Sequence, residues 1–407
     1  MRYPFRNARL LPLLILQTLM MSLPAMASAQ APEAAVALAQ DATIADTHID
    51  APGILMERWA DLDAEAEDRE FDYPKARAGG LDVAFMSIYT SHAQDQDGSA
   101  RQVANQMIDS VEALVQRHPD KFAILTSPGD ASGLLEGGRV LLPLGMENGA
   151  PLGGDVSNVK FFFDRGVRYI TLAHSGNNRL ADSSYALEKQ WNGLSPLGRE
   201  VVHEMNRLGI MVDVSHLGDA SAQEAIALSK VPVIASHSAF RHFTPGFERN
   251  ISDELAKAVA AKGGVIQIPF GTAFVDPQSA ADLQALFRAR ADFERRNAEL
   301  KAQGEPEQDR KAFDAAWEKA HPPRPSTLDQ VLDQIDHGVK LLGVDHVGLG
   351  SDFDGVGGNL ATGLKTVADY PNLVAGLQAR GYDEADIRKI LGGNLLRVWS
   401  EVEAGAE

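Results

Sequence analysis

IMVDVSH, residues 210–216, and VPVIASHS, residues 231–238, share one form: a short apolar run that closes on a histidine. IADTHID, residues 44–50, closes the same way on His48 and Asp50. LLPLGMENG, residues 141–149, closes on Glu147, and VGLGSDFDG, residues 347–355, on Asp352. Continuous apolar runs, rather than alternating ones, are the pattern of parallel strands covered on both faces. A set of such strands, each delivering a polar group at its end, predicts a (β/α)8 barrel of the TIM type. In that fold function gathers at the C-terminal ends of the strands.

Candidate strands fall at 44–48, 81–89, 122–126, 140–146, 168–173, 210–214, 232–236, 264–268 and 347–351. Nine is one more than the barrel needs, and the short run 122–126 reads as an accessory strand. Amphipathic helices alternate with them, as a parallel sheet requires. Residues 195–208 open with Ser195 as N-cap and Pro196 in the first turn, and stop at Gly209. Residues 252–262, 327–342 and 383–399 carry apolar stripes at helical spacing. Residues 275–326, rich in Ala, Arg, Glu and Lys and ending in HPPRPS, interrupt this rhythm. They predict a helical insertion before the last strand, either a solvated helical hairpin, a lid or an oligomer contact. The barrel is expected over 44–402, after a loose lead-in at 30–43.

Residues 1–29 have the form of a signal peptide. Arg2, Arg6 and Arg9 precede the apolar stretch LLPLLILQTLMMSL, and small residues follow from Ala25 to Ala29. Export to a periplasm or the outside is the expectation, with no membrane span in the mature chain. The net charge of −18 argues against nucleic acid or an anionic membrane surface as partner. The 407 residues include no cysteine. This excludes disulfides, thiolate metal sites and a Cys nucleophile. A metal site must then be built from His, Asp and Glu, a donor set that suits Zn, Mn, Fe or Co.

His48 and Asp50 are an i, i+2 pair whose side chains point the same way in extended chain. Glu147 has two oxygens and could bridge two ions. His216 and His237 end successive strands and would lie side by side. His174, closing VRYITLAH at 167–174, reads as a group that meets the reacting oxygen rather than a metal ligand. Asp352 is favoured over Asp354 because it lies nearer the strand end.

In this order, THID, GMENG, TLAHSGNN, DVSH, ASHS, RNISDE and GLGSDFDG resemble the membrane (renal) dipeptidases and their bacterial relatives. So does the C-terminal YPNLVAGLQARGYDEADIRKILGGNLLRVW, residues 370–399. The resemblance covers roughly residues 44–400. It implies a barrel holding two zinc ions that hydrolyses dipeptides: His48 and Asp50 on the first ion, Glu147 bridging, His216 and His237 on the second. It further implies that His174 meets the substrate oxygen, Asp352 moves the proton, and Arg249 holds the C-terminal carboxylate, with Arg241 a competitor for that last role. Family members dimerise through a disulfide in mammals. Without cysteine, a homodimer here would be noncovalent. Acceptance of D-residues at the C-terminal position is also implied. The competing reading is another amidohydrolase-like barrel, such as a lactonase, phosphotriesterase or deaminase. Those usually carry His-x-His after the first strand and often a bridging lysine, where this chain has Asp50 and Glu147.

Overall fold

The computed structural model describes residues 31–322 and 324–407. The expected signal peptide lies outside the described residues. Ten parallel strands form one sheet: β1 (Ile44–Ile49), β2 (Leu81–Tyr89), β3 (Phe122–Ala123), β4 (Val140–Leu141), β5 (Leu144–Glu147), β6 (Val167–Thr171), β7 (Met211–Asp213), β8 (Val233–Ala235), β9 (Val265–Ile268) and β10 (Val347–Leu349). The order β1-β10-β9-β8-β7-β6-β5-β2 closes on itself because β1 also pairs with β2. That ring of eight, surrounded by helices, is the (β/α)8 barrel. β3 pairs only with β4, and β4 with β2, so the 122–126 run is accessory as expected. The single strand expected at 140–146 is two strands. Pro143 has no N–H for the ladder, so the chain changes partners there. β4 pairs with β2 and β3 before it, and β5 with β2 and β6 after it.

Two layers of core hold the barrel. The outer layer lies between strands and helices, with residues such as Ile170, Val212, Phe162, Val201 and Ile335. The inner layer fills the barrel itself with Ala45, Val83, Phe85, Tyr169, Met211, Ile234 and Val265, and Trp399 joins them from the C-terminal helix. The Phe85 ring lies 5.2 Å from Trp399 and 5.4 Å from Tyr169. A column of aromatic rings therefore runs up the barrel axis towards the strand ends.

The helix starts are where their residues place them. Ser195 accepts from the Gly198 amide ahead of Pro196–Leu208, and Gly209 ends that helix at φ 75. Thr327 and Gln330 form a capping box at the start of Leu328–Leu342. Two expectations need correction. The lead-in over 30–43 is not loose: Glu33–Asp41 is helical, and Ala35, Leu38 and Ala39 are buried. The 383–399 helix is not one straight rod. It runs as Glu384–Arg388, a π-turn at Lys389–Gly393, and Asn394–Ala404. Ile387, Ile390 and Leu391 bury into the outer core, whereas Leu395, Val398 and Trp399 bury into the inner one. The extra residue of the π-turn rotates the stripe between them. Gly392 sits in that turn because a Cβ there would lie 2.6 Å from the Thr43 carbonyl oxygen.

Residues 275–326 contain the helices Pro277–Gln303 and Arg310–Ala320. Phe293 packs on Phe313 at 4.7 Å, and Arg290 pairs with Asp314 at 3.0 Å, so the two helices form a hairpin. No helix among the described residues is long and apolar enough to cross a membrane.

Candidate active site

Every barrel strand presents its C-terminal end to one rim, and the eight expected residues meet there. Glu147 is the centre. Its Oε2 lies 3.4 Å from His48 Nε2, and that nitrogen lies 3.3 Å from Asp50 Oδ2. Its Oε1 lies 3.1 Å from His216 Nε2 and 3.3 Å from both His237 Nε2 and His174 Nε2. The two oxygens of one buried carboxylate thus divide the imidazoles into two sets. Asp352 joins His48 and Asp50 in a further close group, and His237 also stacks on His48 with ring centroids 3.8 Å apart.

The donor set suits a pair of divalent ions. His216 Nε2 and His237 Nε2 lie 2.7 Å apart, so two nitrogens aim at one place. Both imidazoles are pushed well below their ordinary pKa. Burial is the main cause for each; next comes the Arg249 cation for His216, and His48 followed by Arg249 for His237. They stay neutral, with lone pairs free to ligate. For Glu147, burial pushes the carboxyl up. The facing His48 and His174 outweigh it, with hydrogen bonds from His174 and His216, and hold it well below the usual carboxylate range. His48 Nε2 is buried with no hydrogen-bond partner. Burial disfavours a proton on His48, yet the electrostatic pull of Tyr169, Glu147 and Asp50 raises it well above the ordinary imidazole value. The charges that favour a proton there favour a metal cation equally.

Supporting residues fix these candidate ligands, and the sequence did not mark them. Tyr169 Oη meets His48 Nδ1 at 2.8 Å. Ser236 Oγ meets His237 Nδ1 at 2.7 Å and donates to Asp213 Oδ2 at 2.6 Å. Asp213 Oδ2 also accepts from Thr171 Oγ1 at 2.5 Å, and its Oδ1 from the amides of Ser215 and Ser236. Such partners orient a ligating imidazole and fix its tautomer. Ser87 Oγ donates to Glu147 Oε2 at 3.2 Å. These side chains stand inside apolar runs, and the contacts Tyr169–His48, Thr171–Asp213, Asp213–Ser236 and Ser87–Glu147 join different strands, so no local pattern marks them.

The rim backbone is strained where it carries chemistry. Asn148, His216, Asp352 and Asp354 have φ of 82, 65, 67 and 63. Non-glycine residues in this region cost about 1–3 kcal/mol each and cluster at functional sites. At Gly355 a Cβ would lie 2.2 Å from Asp352 Oδ1 and 2.3 Å from Asp50 Oδ2, so any side chain there would displace these carboxylates. Asp352 is raised well above the carboxylate range, first by burial and then by the Asp50 charge. Asp354 turns elsewhere: its carboxylate accepts from the amides of Glu70 and Phe71. Arg249 is buried beside the ligands, with Nη2 3.0 Å from His216 Nε2 and 2.8 Å from the His237 carbonyl. Arg241 is committed away from them, forked onto Asp219 at 2.6 and 2.7 Å.

A barrel whose strand ends converge His, Asp and Glu on one carboxylate defines a metal-dependent hydrolase. The chain belongs to the membrane dipeptidase family, peptidase family M19, whose model matches residues 33–407. It is 30% identical to dipeptidase verJ of Clonostachys rogersoniana over 383 residues, covering 91% of this chain and 86% of that one. It is 29% identical to dipeptidase tcpJ of Claviceps purpurea over 358 residues, covering 84% and 73%. Among solved structures, the probable dipeptidase PvdM from Pseudomonas aeruginosa superposes with a TM-score of 0.76 at 29% identity, covering 92% of this chain and 98% of that one. A metallo peptidase from Rhodobacter sphaeroides, liganded with a phosphinate mimic of L-Ala-D-Ala, shares the fold with a TM-score of 0.72 at 22% identity, over 89% and 99%. The protein is a metallodipeptidase.

Proposed function

We propose that the metal is zinc, two ions per chain, and that the protein hydrolyses dipeptides of varied side chain, including ones with a D-residue at the C-terminal position. One observation carries this reading: Glu147 turns one oxygen to His48 and the other to His216 and His237. That arrangement fits a carboxylate shared by two ions: His48 and Asp50 would hold one, and His216 and His237 the other. Two such ions lower the pKa of water and polarise a carbonyl.

The chain's own residues do the rest. Asp352 takes the proton from the attacking water and delivers it to the leaving amine; its burial and its raised pKa suit a group that must hold a proton in mid-reaction. His174 donates from Nε2 to the oxygen that gains charge as the carbonyl carbon becomes tetrahedral. Arg249 receives the C-terminal carboxylate as a bidentate partner, which confines the substrate to a free C-terminus. A D-residue is included because the Rhodobacter relative of the same fold holds a mimic of L-Ala-D-Ala. The arginine-led apolar stretch at 2–23 supports export, and the absence of cysteine makes any homodimer noncovalent.

The purified protein should contain close to two zinc ions per chain, lose hydrolysis of Ala-Ala and Ala-D-Ala on chelation, and regain it when zinc is returned. Full activity in a preparation shown to be metal-free would sink the proposal.

A further inference from the structure

The cavity above the ligand cluster measures about 670 Å³, within the range of small-molecule sites. The barrel loops do not supply all of its wall. The long insertion helix Pro277–Gln303 sends Leu283 and Phe287 into it. Phe287 stacks on Tyr185, with ring centroids 4.4 Å apart and 26° between the planes. Tyr185 stands edge-on to His216 at 5.7 Å, and its hydroxyl lies against Arg249. Phe274, on the turn after β9, carries the Arg249 guanidinium over its ring at 4.9 Å. Leu283 and Tyr185 pack together on the small buried cluster that contains Phe274. This half of the cavity is therefore apolar, and it borders Arg249.

We propose that Phe287, Leu283, Tyr185 and Phe274 form the subsite for the side chain of the substrate's C-terminal residue, and that it selects a branched aliphatic or aromatic residue there. The inference rests on the reading in which Arg249 receives the C-terminal carboxylate. That side chain leaves the Cα that bears the carboxylate, so it meets the walls around Arg249. Met56 and Met107 line the cavity from helices that follow β1 and β2. Those strands lie across the ring from β7 and β8, which leaves that side to the N-terminal residue. Phe287 and Leu283 are half-exposed to the cavity, and an arriving apolar group removes that surface from water. Relative to glycine at the same position, burial of a leucine or phenylalanine side chain is worth about 10- to 100-fold.

The test uses zinc-loaded protein and two dipeptide series, Ala-X and X-Ala, with X as Gly, Ala, Leu or Phe. In the unmutated protein, kcat/KM for Ala-Leu and Ala-Phe should exceed that for Ala-Gly by about 10- to 100-fold. Phe287→Ala should cut this preference to within about threefold, chiefly through KM, and lower Ala-Gly and the X-Ala series much less than Ala-Leu and Ala-Phe. Phe287→Leu should restore the preference for Ala-Leu, which separates a lost wall from a disturbed fold. An unmutated protein without the Ala-X preference, or a Phe287→Ala variant that lowers both series alike, would overturn the subsite. Ala-Leu amide separates this from the carboxylate reading. Its cleavage at the rate of Ala-Leu would remove Arg249 as clamp, and with it the assignment of this wall to the C-terminal residue. A poor amide with no Ala-X preference would remove the subsite alone.

Discussion

At its floor the barrel is plugged by Trp399, Leu395 and Val398 of the C-terminal helix, packed against Phe85, Val83 and Met211. At its mouth the same strands end in His48, Glu147, His216 and His237, with positive φ at His216 and Asp352. The floor buries apolar surface, and none of these plug residues has positive φ. The mouth buries charge, holds the His216 and His237 imidazoles neutral and keeps strained residues in place. Between them, Tyr169 belongs to both ends: its ring packs on Phe85 from below, and its hydroxyl meets His48 above. Stability is concentrated at one end so that the other can be arranged for chemistry.

That division can be broken from either side. Glu147→Gln removes the charge that both ligand sets share. Zinc content should fall to one ion or fewer, and kcat/KM should drop by roughly 10³-fold, the several kcal/mol a metal contributes. The melting temperature of the metal-free protein should fall, because His48 and His174 lose the buried carboxylate they face. Activity near that of the unmutated protein would remove Glu147 from the bridge. Trp399→Ala should do the reverse. It should lower unfolding stability by about 3–5 kcal/mol in urea titration, while zinc stoichiometry and KM at low temperature stay as they were. A matching loss of zinc would mean that the floor and the mouth are not separable.

The strand ends were legible in the sequence because a polar residue closing a buried run has few other reasons to be there. His48, Asp50, Glu147, His216 and His237 all follow that rule, and the structure gathers them within a few ångströms. Tyr169, Ser236 and Asp213 were not legible. Tyr169 meets His48, 121 residues away, only because the barrel closes, and Ser236, although next to His237, is held by Asp213 of the neighbouring strand. The π-turn at Lys389–Gly393 was hidden for another reason. Helical spacing continues through it, and only the existence of two cores shows why one stripe must turn. The insertion could be read as helical, but nothing local shows which face of a helix so rich in charge meets the cavity.

The smallest expected effect compares the two ends through one kind of group. Asp82 stands at the floor end of β2, where its Oδ2 accepts from the amide of Ile44 at the start of β1. Burial pushes its carboxyl up to about 6, against the opposing hydrogen bond from Ile44 and the nearby Arg77. The folded protein therefore binds this proton more tightly than the unfolded chain does. The stabilisation is fully present below the unfolded value of 3.8 and is lost as pH rises through about 6. Asp82→Asn cannot ionise and still offers an oxygen to Ile44. Between pH 4.5 and 7, its stability relative to the unmutated protein should rise by about 1–2 kcal/mol in urea titrations, with dipeptide hydrolysis at pH 7 unchanged. A flat difference would mean that Asp82 ionises in the fold as it does in water. Asp352 is raised by the same cause at the mouth, but in the proposed reaction it stands beside the ligand cluster to take a proton from water and release it to the amine. Neutralising Asp352 should abolish turnover, whereas neutralising Asp82 should only flatten a stability curve. What separates the two carboxyls is therefore not that burial shifts them but whether a substrate can reach them.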